Sequence, residues 1–460
     1  MISRRIPVLA ILLAAALGAS GCSTISRLNP FPGKEDKENA AEGERISIVA
    51  ADQKLEAAEA LKGVDFALPA AAPVTDWPVP GGVLEQSMGN IDAAPGLTVA
   101  WRRSVGKGSK GGDNVTAPLI AADGKVFAMD SVATISAHDA RSGAELWRRN
   151  IRPNDKKDRE GSGGGIAYAD GKIYASSGFR QVVQLDAATG AMGWRQRTEQ
   201  PIHGAPTVAS GRVMVVAIDN TLLTFDTATG APGWTYQALS ETSRILAASS
   251  PAVSGDTVVA SFGSGELVAL RAANGNDLWT EGLSRASRTS ALSEIRDIAG
   301  RPVIYQGDVF AVSHSGVFAA TDLRTGQARW TLPIVGISSP LPAGDVVYVT
   351  SKSGEVICVA RESGQIYWIK DMNPGFVAKK KGWLGVFTGE KTVRTLWSSP
   401  LLVSDRLILV SSSGELVALN AKTGEVGRRV QLGAKVLLDP IAVSGMLYVL
   451  TDTAQLIALN

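Results

Sequence analysis

One unit of sequence recurs along most of this chain, and a recurring unit that cannot bury its own apolar face must stack on its neighbours. Ser249 to Trp279 reads SSPAVSGDTVVASFGSGELVALRAANGNDLW, Ser338 to Trp368 reads SSPLPAGDVVYVTSKSGEVICVARESGQIYW, and Ser398 to Arg428 reads SSPLLVSDRLILVSSSGELVALNAKTGEVGR. Each copy runs from a small residue and Pro through three short apolar or β-branched runs separated by Gly, Asp and Ser. It then reaches a turn closed by Gly, with Trp four residues later. Short Val-, Leu- and Ile-rich runs bounded by turn formers read as strands joined by tight hairpins. Several are apolar at consecutive positions, as in Leu267 to Leu270 and Leu416 to Leu419, which suits sheets covered on both faces. In the D-x-x-T-G and N-x-x-T-G turns opened by Asp186, Asp226, Asp322 and Asn420, the side chain bonds the backbone and the Gly accepts a positive φ. The chain has 49 Gly in 460 residues. Gly143, Gly190, Gly230, Gly275, Gly326, Gly364 and Gly424 share that one slot. The Trp after each turn reads as a structural plug between adjacent sheets, with an indole N–H that needs a partner.

Counting the slot predicts the architecture. Trp147, Trp194, Trp234, Trp279, Trp330, Trp368 and Arg428 fill it in seven units. An eighth begins near Asp439 and stops at Asn460, before its turn and Trp. The missing strand has a candidate at the other end, Leu97 to Val105 (LTVAWRRSV), where Trp101 has no strands before it. A linear solenoid would not split one unit between the termini, whereas a ring would. The expectation is an all-β, eight-bladed β-propeller of four-stranded antiparallel blades over 96–460, its last blade closed by the N-terminal strand. Closure of that kind hides sheet edges.

Little in the composition points to catalysis. Forty-six Lys plus Arg against 44 Asp plus Glu give a net charge of +2, and no nucleic acid is expected as a partner. Three His (His138, His203, His314) fall in unrelated slots, and no Ser-His-Asp or paired-carboxylate arrangement can be argued. Cys358 lies mid-strand in GEVICVA and reads as a buried inert thiol. No cluster of Asp, Glu and Asn between repeats suits Ca²⁺, which needs six to eight oxygens. No metal, cofactor or catalytic residue is therefore expected.

The N-terminus, MISRRIPVLAILLAAALGASGC, has a basic start at Arg4-Arg5 and an apolar core too short to span a bilayer. Ala19, Ser20 and Gly21 before Cys22 resemble a bacterial lipoprotein signal, although Ala19 stands where Leu is usual. The resemblance implies a signal over 1–21, lipidation of Cys22 and, with Ser23 next, the outer membrane. Residues 22–95 read as a largely irregular lipidated tether, with a charged stretch at Pro30 to Glu44 and an Ala/Pro-rich one at Pro69 to Pro80. Loss of Arg4 and Arg5 leaves basic and acidic side chains balanced. The total thus gives no polybasic membrane surface, and the acyl chains would supply the anchor.

The repeat as a whole resembles the quinoprotein (PQQ-type) propeller repeat. Quinoprotein dehydrogenases carry it with a quinone and Ca²⁺, and the alcohol dehydrogenases among them use a vicinal Cys pair that Cys358 lacks. The BamB family of outer-membrane assembly lipoproteins carries it without cofactor, behind a lipidated N-terminus, and the sequence is more similar to that family. The resemblance implies a non-catalytic scaffold of the β-barrel assembly (BAM) complex. It would be lipid-anchored on the periplasmic face of the outer membrane, a monomer within a hetero-complex. Its partner would be the barrel insertase (BamA-like), bound through that protein's periplasmic domains. Two inter-blade segments stand where family members contact that partner. The first, 241–250, carries Arg244, Ile245 and Leu246; the second, 280–301, carries Glu294, Arg296 and Asp297. An insertion at 371–396 combines Lys379 to Lys381 with Trp383, Leu384, Val386 and Phe387. The rival readings are a PQQ-dependent periplasmic dehydrogenase and a general peptide- or glycan-binding propeller.

Overall fold

The computed structural model describes residues 55–153, 161, 163–240, 249–284, 297–374 and 394–460, and residues 55–460 form one compact unit. Its strands make eight four-stranded antiparallel sheets, each in simple order from inside to outside. Seven blades are continuous in sequence, at 120–150, 164–197, 207–237, 252–282, 303–332, 341–371 and 401–431. Blade 8 takes three strands from 441–459 and its outermost strand from Val99–Ser104. That strand pairs antiparallel with Gln455–Leu459, and Trp101 lies opposite Ala458. The ring predicted from the split unit is therefore the observed fold.

The repeat residues explain why blades stack. The indole Nε1 of Trp101, Trp147, Trp194, Trp234, Trp279 and Trp330 donates to a carbonyl in the next blade's turn, at 2.8 to 3.0 Å. The turn Gly of that next blade lies flat on the ring. A Cβ on Gly275 would stand 2.5 Å from Trp234, and one on Gly190 would stand 2.6 Å from Trp147. These glycines are thus required twice, by a φ near +70° and by the Trp beneath them. The exception at Arg428 has the same cause. Blade 7 faces blade 8, whose third and fourth strands come from opposite chain ends, so no turn exists there for a Trp to plug.

In the D-x-x-T-G turns, Oδ1 of Asp226 accepts from the Ala228 and Thr229 amides and the Thr229 hydroxyl, and Asp186 and Asp322 do the same. Between blades, second and third strands bury Val, Leu, Ile and Phe in clusters that each span neighbouring sheets. Cys358 sits in one of these, fully buried.

Residues 55–95, expected as part of a stand-off tether, lie instead against the ring. The chain is irregular there, with one short 3-10 turn at Glu59–Leu61, but it is packed as a strap. Phe66, Trp77, Val79, Ile91 and Ala94 are buried. The strap's backbone hydrogen-bonds Ala121, Tyr168, Val253, Ile304, Asp345, Leu402 and Ser444, which belong to seven of the eight blades. Its Ala and Pro content hid this, because those bonds go to other segments and leave no periodic signature.

Candidate functional site

Strand direction alternates from inside to outside within each blade. The turns between first and second strands and the Gly turns therefore share one face, and the connections between blades share the other. The strap covers the first face. Its tip, Pro80 to Gly82, is buried at the central channel, where the Gly81 amide donates to Gln86 Oε1 and Gln86 Nε2 donates to Pro251 O. A small cavity lined by Trp77, Gly81, Gln86, Arg301, Ser339 and Asp439 separates this tip from the channel waist.

The waist is made by the repeat's residue before Pro. In blades 5 to 8 these are Arg301, Ser339, Ser399 and Asp439, and they form a closed chain. The Arg301 amide donates to Ser339 Oγ at 2.9 Å, the Ser339 amide to Ser399 Oγ at 3.0 Å, and the Ser399 amide to Asp439 Oδ1 at 2.9 Å. Arg301 Nη2 returns to Asp439 Oδ2 at 3.0 Å. The equivalent residues in blades 1 and 3 are Ala117 and Ala205. In blade 2, Gly165 lies against Ala205 so closely that a Cβ would stand 2.4 Å away. The channel is thus polar on one side and tightly packed on the other. Sequence reading noticed the small-Pro motif but missed the belt, because only the ring brings four distant copies together.

Beyond the waist the channel opens on the loop face as a cavity of about 540 Å³, with Thr116, His203, Ser250, Ile337, Trp397 and Leu437 in its walls. Apolar side chains are exposed around this face. Val335, Ile337, Leu396 and Leu437 stand at its rim, and Leu239, 66% exposed, precedes the 241–248 connection. All five lie in connections between blades.

Of the residues singled out in the sequence, Cys22, Arg244, Ile245, Leu246, Glu294 and Arg296 lie outside the described residues, as does most of the 371–396 insertion. Asp297 is described and is only 4% exposed, and its carbonyl accepts from the His314 amide at 2.9 Å. A buried carboxylate is a framework residue of the free ring rather than a presented charge. The histidines do not converge. His138 is buried against Ser136 Oγ, with burial holding its imidazole below the ordinary value, while His314 lies beside Lys352. Burial pushes the Cys358 thiol well above its ordinary range, which makes it a poor nucleophile. A Ca²⁺ ion finds no ready ligand set among the described channel residues. Among the described residues no three His, Cys, Asp or Glu are grouped to hold a metal. The one carboxylate among the cavity's described lining residues, Asp439, is already engaged by Ser399 and Arg301.

Comparisons with known proteins agree with this geometry. A family model described as outer membrane protein assembly factor BamB matches residues 131–370 and 382–460. The curated proteins of that name from Shigella dysenteriae and Escherichia coli K12 are each 24% identical over 356 residues, covering 76% of this chain and 86% of the relative. Among solved structures, BamB from Moraxella catarrhalis superposes with a TM-score of 0.66 at 18% identity, over 79% of this chain and 99% of that one. The quinohemoprotein alcohol dehydrogenase from Comamonas testosteroni reaches 0.64 at 15% identity, over 84% and 81%, a likeness of fold alone.

Proposed function

The chain belongs to the family of the outer membrane protein assembly factor BamB, and on that premise we propose that it is a non-catalytic scaffold of the outer-membrane β-barrel assembly machine. In this reading Cys22 carries the lipid anchor, and the ring lies on the periplasmic side of the outer membrane. Its loop face binds the periplasmic domains of the barrel insertase. The observation that carries the reading is the contrast between the faces. The strap occupies one, while the other gathers the inter-blade connections and exposes apolar side chains from several of them, as a docking surface does. Arg244, Ile245 and Leu246 in one connection and Glu294 and Arg296 in another are the residues assigned to the contact. Asp297 supports the second connection from within.

Affinity capture of the whole chain from cross-linked envelopes, read by mass spectrometry, tests the proposal. The barrel insertase is expected as the principal partner, weakened by L246A together with R244E, with thermal unfolding unchanged. Capture without the insertase would overturn the scaffold reading. Normal capture by the variants would overturn the site assignment.

A further inference from the structure

The near-neutral total conceals a strongly uneven rim. The four outermost strands of blades 7, 8, 1 and 2, which are consecutive around the ring, read VGRRVQ, VAWRRS, ELWRRN and MGWRQR. They carry eight arginines, all exposed, and one carboxylate, Glu145. The outermost strands of blades 3 to 6 read PGWTYQ, DLWTEG, ARWTL and IYWIKD, with Arg329 and Lys370 against Asp277, Glu281 and Asp371. The difference is one of register. Arg429, Arg102, Arg148 and Arg195 pair with Val417, Ile457, Ser136 and Val183. At the matching position blades 3 to 6 place Thr235, Thr280, Thr331 and Ile369.

Four of these guanidinium groups are held in place by bonds to neighbouring blades. Arg102 donates to Leu432 O at 2.7 Å and Arg148 to Val105 O at 2.9 Å, each at the end of the preceding blade's outer strand. Arg103 donates to Ser142 O and Arg149 to Gly190 O, in the following blade's turn. The gap between blades 8 and 1 therefore receives Arg103 from one side and Arg148 from the other. Arg148 also pairs with Glu145 and Arg429 with Glu415, which offsets part of the charge. A guanidinium has five N–H donors, of which Arg102 and Arg149 spend one, Arg103 two and Arg148 three on these bonds, leaving the rest, in a fixed fork, to meet phosphate oxygens.

We propose that this arginine half-rim is a docking surface for a membrane's anionic phosphate headgroups. Charge complementarity favours that occupant, and so does the lipid anchor assigned to Cys22. Blades 8 and 1, at the centre of the arc, carry four of the arginines. They stand diametrically opposite blades 4 and 5, whose connection is assigned to the insertase. The ring could thus lie on the bilayer while its partner loops point away.

The test uses the whole chain with Cys22→Ser, so that no acyl group contributes, and co-sedimentation with phosphatidylcholine vesicles with or without phosphatidylglycerol. Binding is expected only to the anionic vesicles, with loss at about 1 M salt, where the screening length falls to about 3 Å. R103Q/R149Q/R195Q/R428Q should weaken it by about 100-fold or more, with thermal unfolding unchanged, and the matching four Lys substitutions should retain most of it. Equal binding to neutral vesicles, or unchanged binding by the Gln variant, would overturn the proposal. Capture of poly-glutamate without vesicle binding would also overturn it, in favour of an acidic protein partner.

Discussion

If the strap is part of the folded ring, truncating its central anchor must destabilise the whole unit. Trp77 is 3% exposed, packs with blade 8 and blade 1 residues, and donates from Nε1 to Pro80 O at 3.1 Å. Trp77→Ala leaves the backbone pairing with Ala121 in place, so the loss is that of the side chain. Burying an indole removes about 200 Å² of surface, worth about 5 kcal/mol at about 25 cal/mol per Å². A compact unfolded chain reduces this by a fifth or so, to about 4 kcal/mol, within the range of about 3–5 kcal/mol for Trp→Ala in protein cores. With an unfolding entropy of about 2.1 cal/mol/K per residue over about 400 residues, the midpoint should fall by about 4–5 °C. Calorimetry on the whole chain reads this directly. Val64→Ala, at a strap residue that is 49% exposed, is the control and should change stability by less than about 0.5 kcal/mol. A Trp77→Ala protein melting within about 1 °C of the unaltered chain would refute the reasoning, since about 1 kcal/mol is all such a shift allows.

Gly211→Ala and Gly275→Ala separate two roles of glycine. Both positions have positive φ, but space is open around Gly211 while a Cβ on Gly275 would meet Trp234. The first should cost about 1 kcal/mol and the second about 2–4 kcal/mol by denaturant unfolding, and equal costs would contradict the plug geometry. Acid should weaken the repeat turns. Hydrogen bonds from Lys172 and Thr189 pull the Asp186 carboxyl down to about 2, and Thr229 and Thr325 lower Asp226 and Asp322 in the same way. Because the folded values lie below the unfolded ones, the contribution is full above pH 4 and is lost as pH falls towards 2. Asp186→Asn should flatten that part of the stability profile, and an unchanged slope would count against the turn assignment. Cys358 should react with a thiol reagent only at the rate of unfolding, so rapid labelling of the native chain would show that blade 6 opens.

The ring was legible because its constraint is repeated. Seven Gly slots and eight Trp-slot positions fix the blade count, and a unit divided between the termini fixes closure. The strap was not legible, since Trp77 and Ile91 are isolated apolar residues in an Ala/Pro-rich stretch whose partners lie on seven different blades. Asp297 looked like a presented charge because sequence gives no burial for a residue beside a Pro-initiated strand. The arginine half-rim was hidden for a different reason. Summed over the chain the charge is balanced, and only aligning the outermost strands by register shows Arg in blades 7, 8, 1 and 2 where the others have Thr or Ile. A balanced total is compatible with a basic surface when the opposite charges lie elsewhere on the ring.

The pairing of the first and last strands bears on how the ring would carry load if Cys22 anchors it, as proposed. Residues 99–104 complete the blade begun by 441–459, a pairing across nearly the whole described chain, so blade 8 can close only after Leu459 is made. A propeller tethered directly through that strand would feel every pull on its anchor as a force peeling open its last-formed sheet. Here the chain reaches Val99 only after crossing the ring, with Ala67 bonded at blade 6, Pro78 at blade 2, Leu84 and Glu85 at blades 4 and 5, and Ile91 at blade 7. A pull from the N-terminal side must break these contacts in sequence before it reaches the closing strand. The irregular segment ahead of Val99 therefore protects the one seam at which the ring is not covalently continuous.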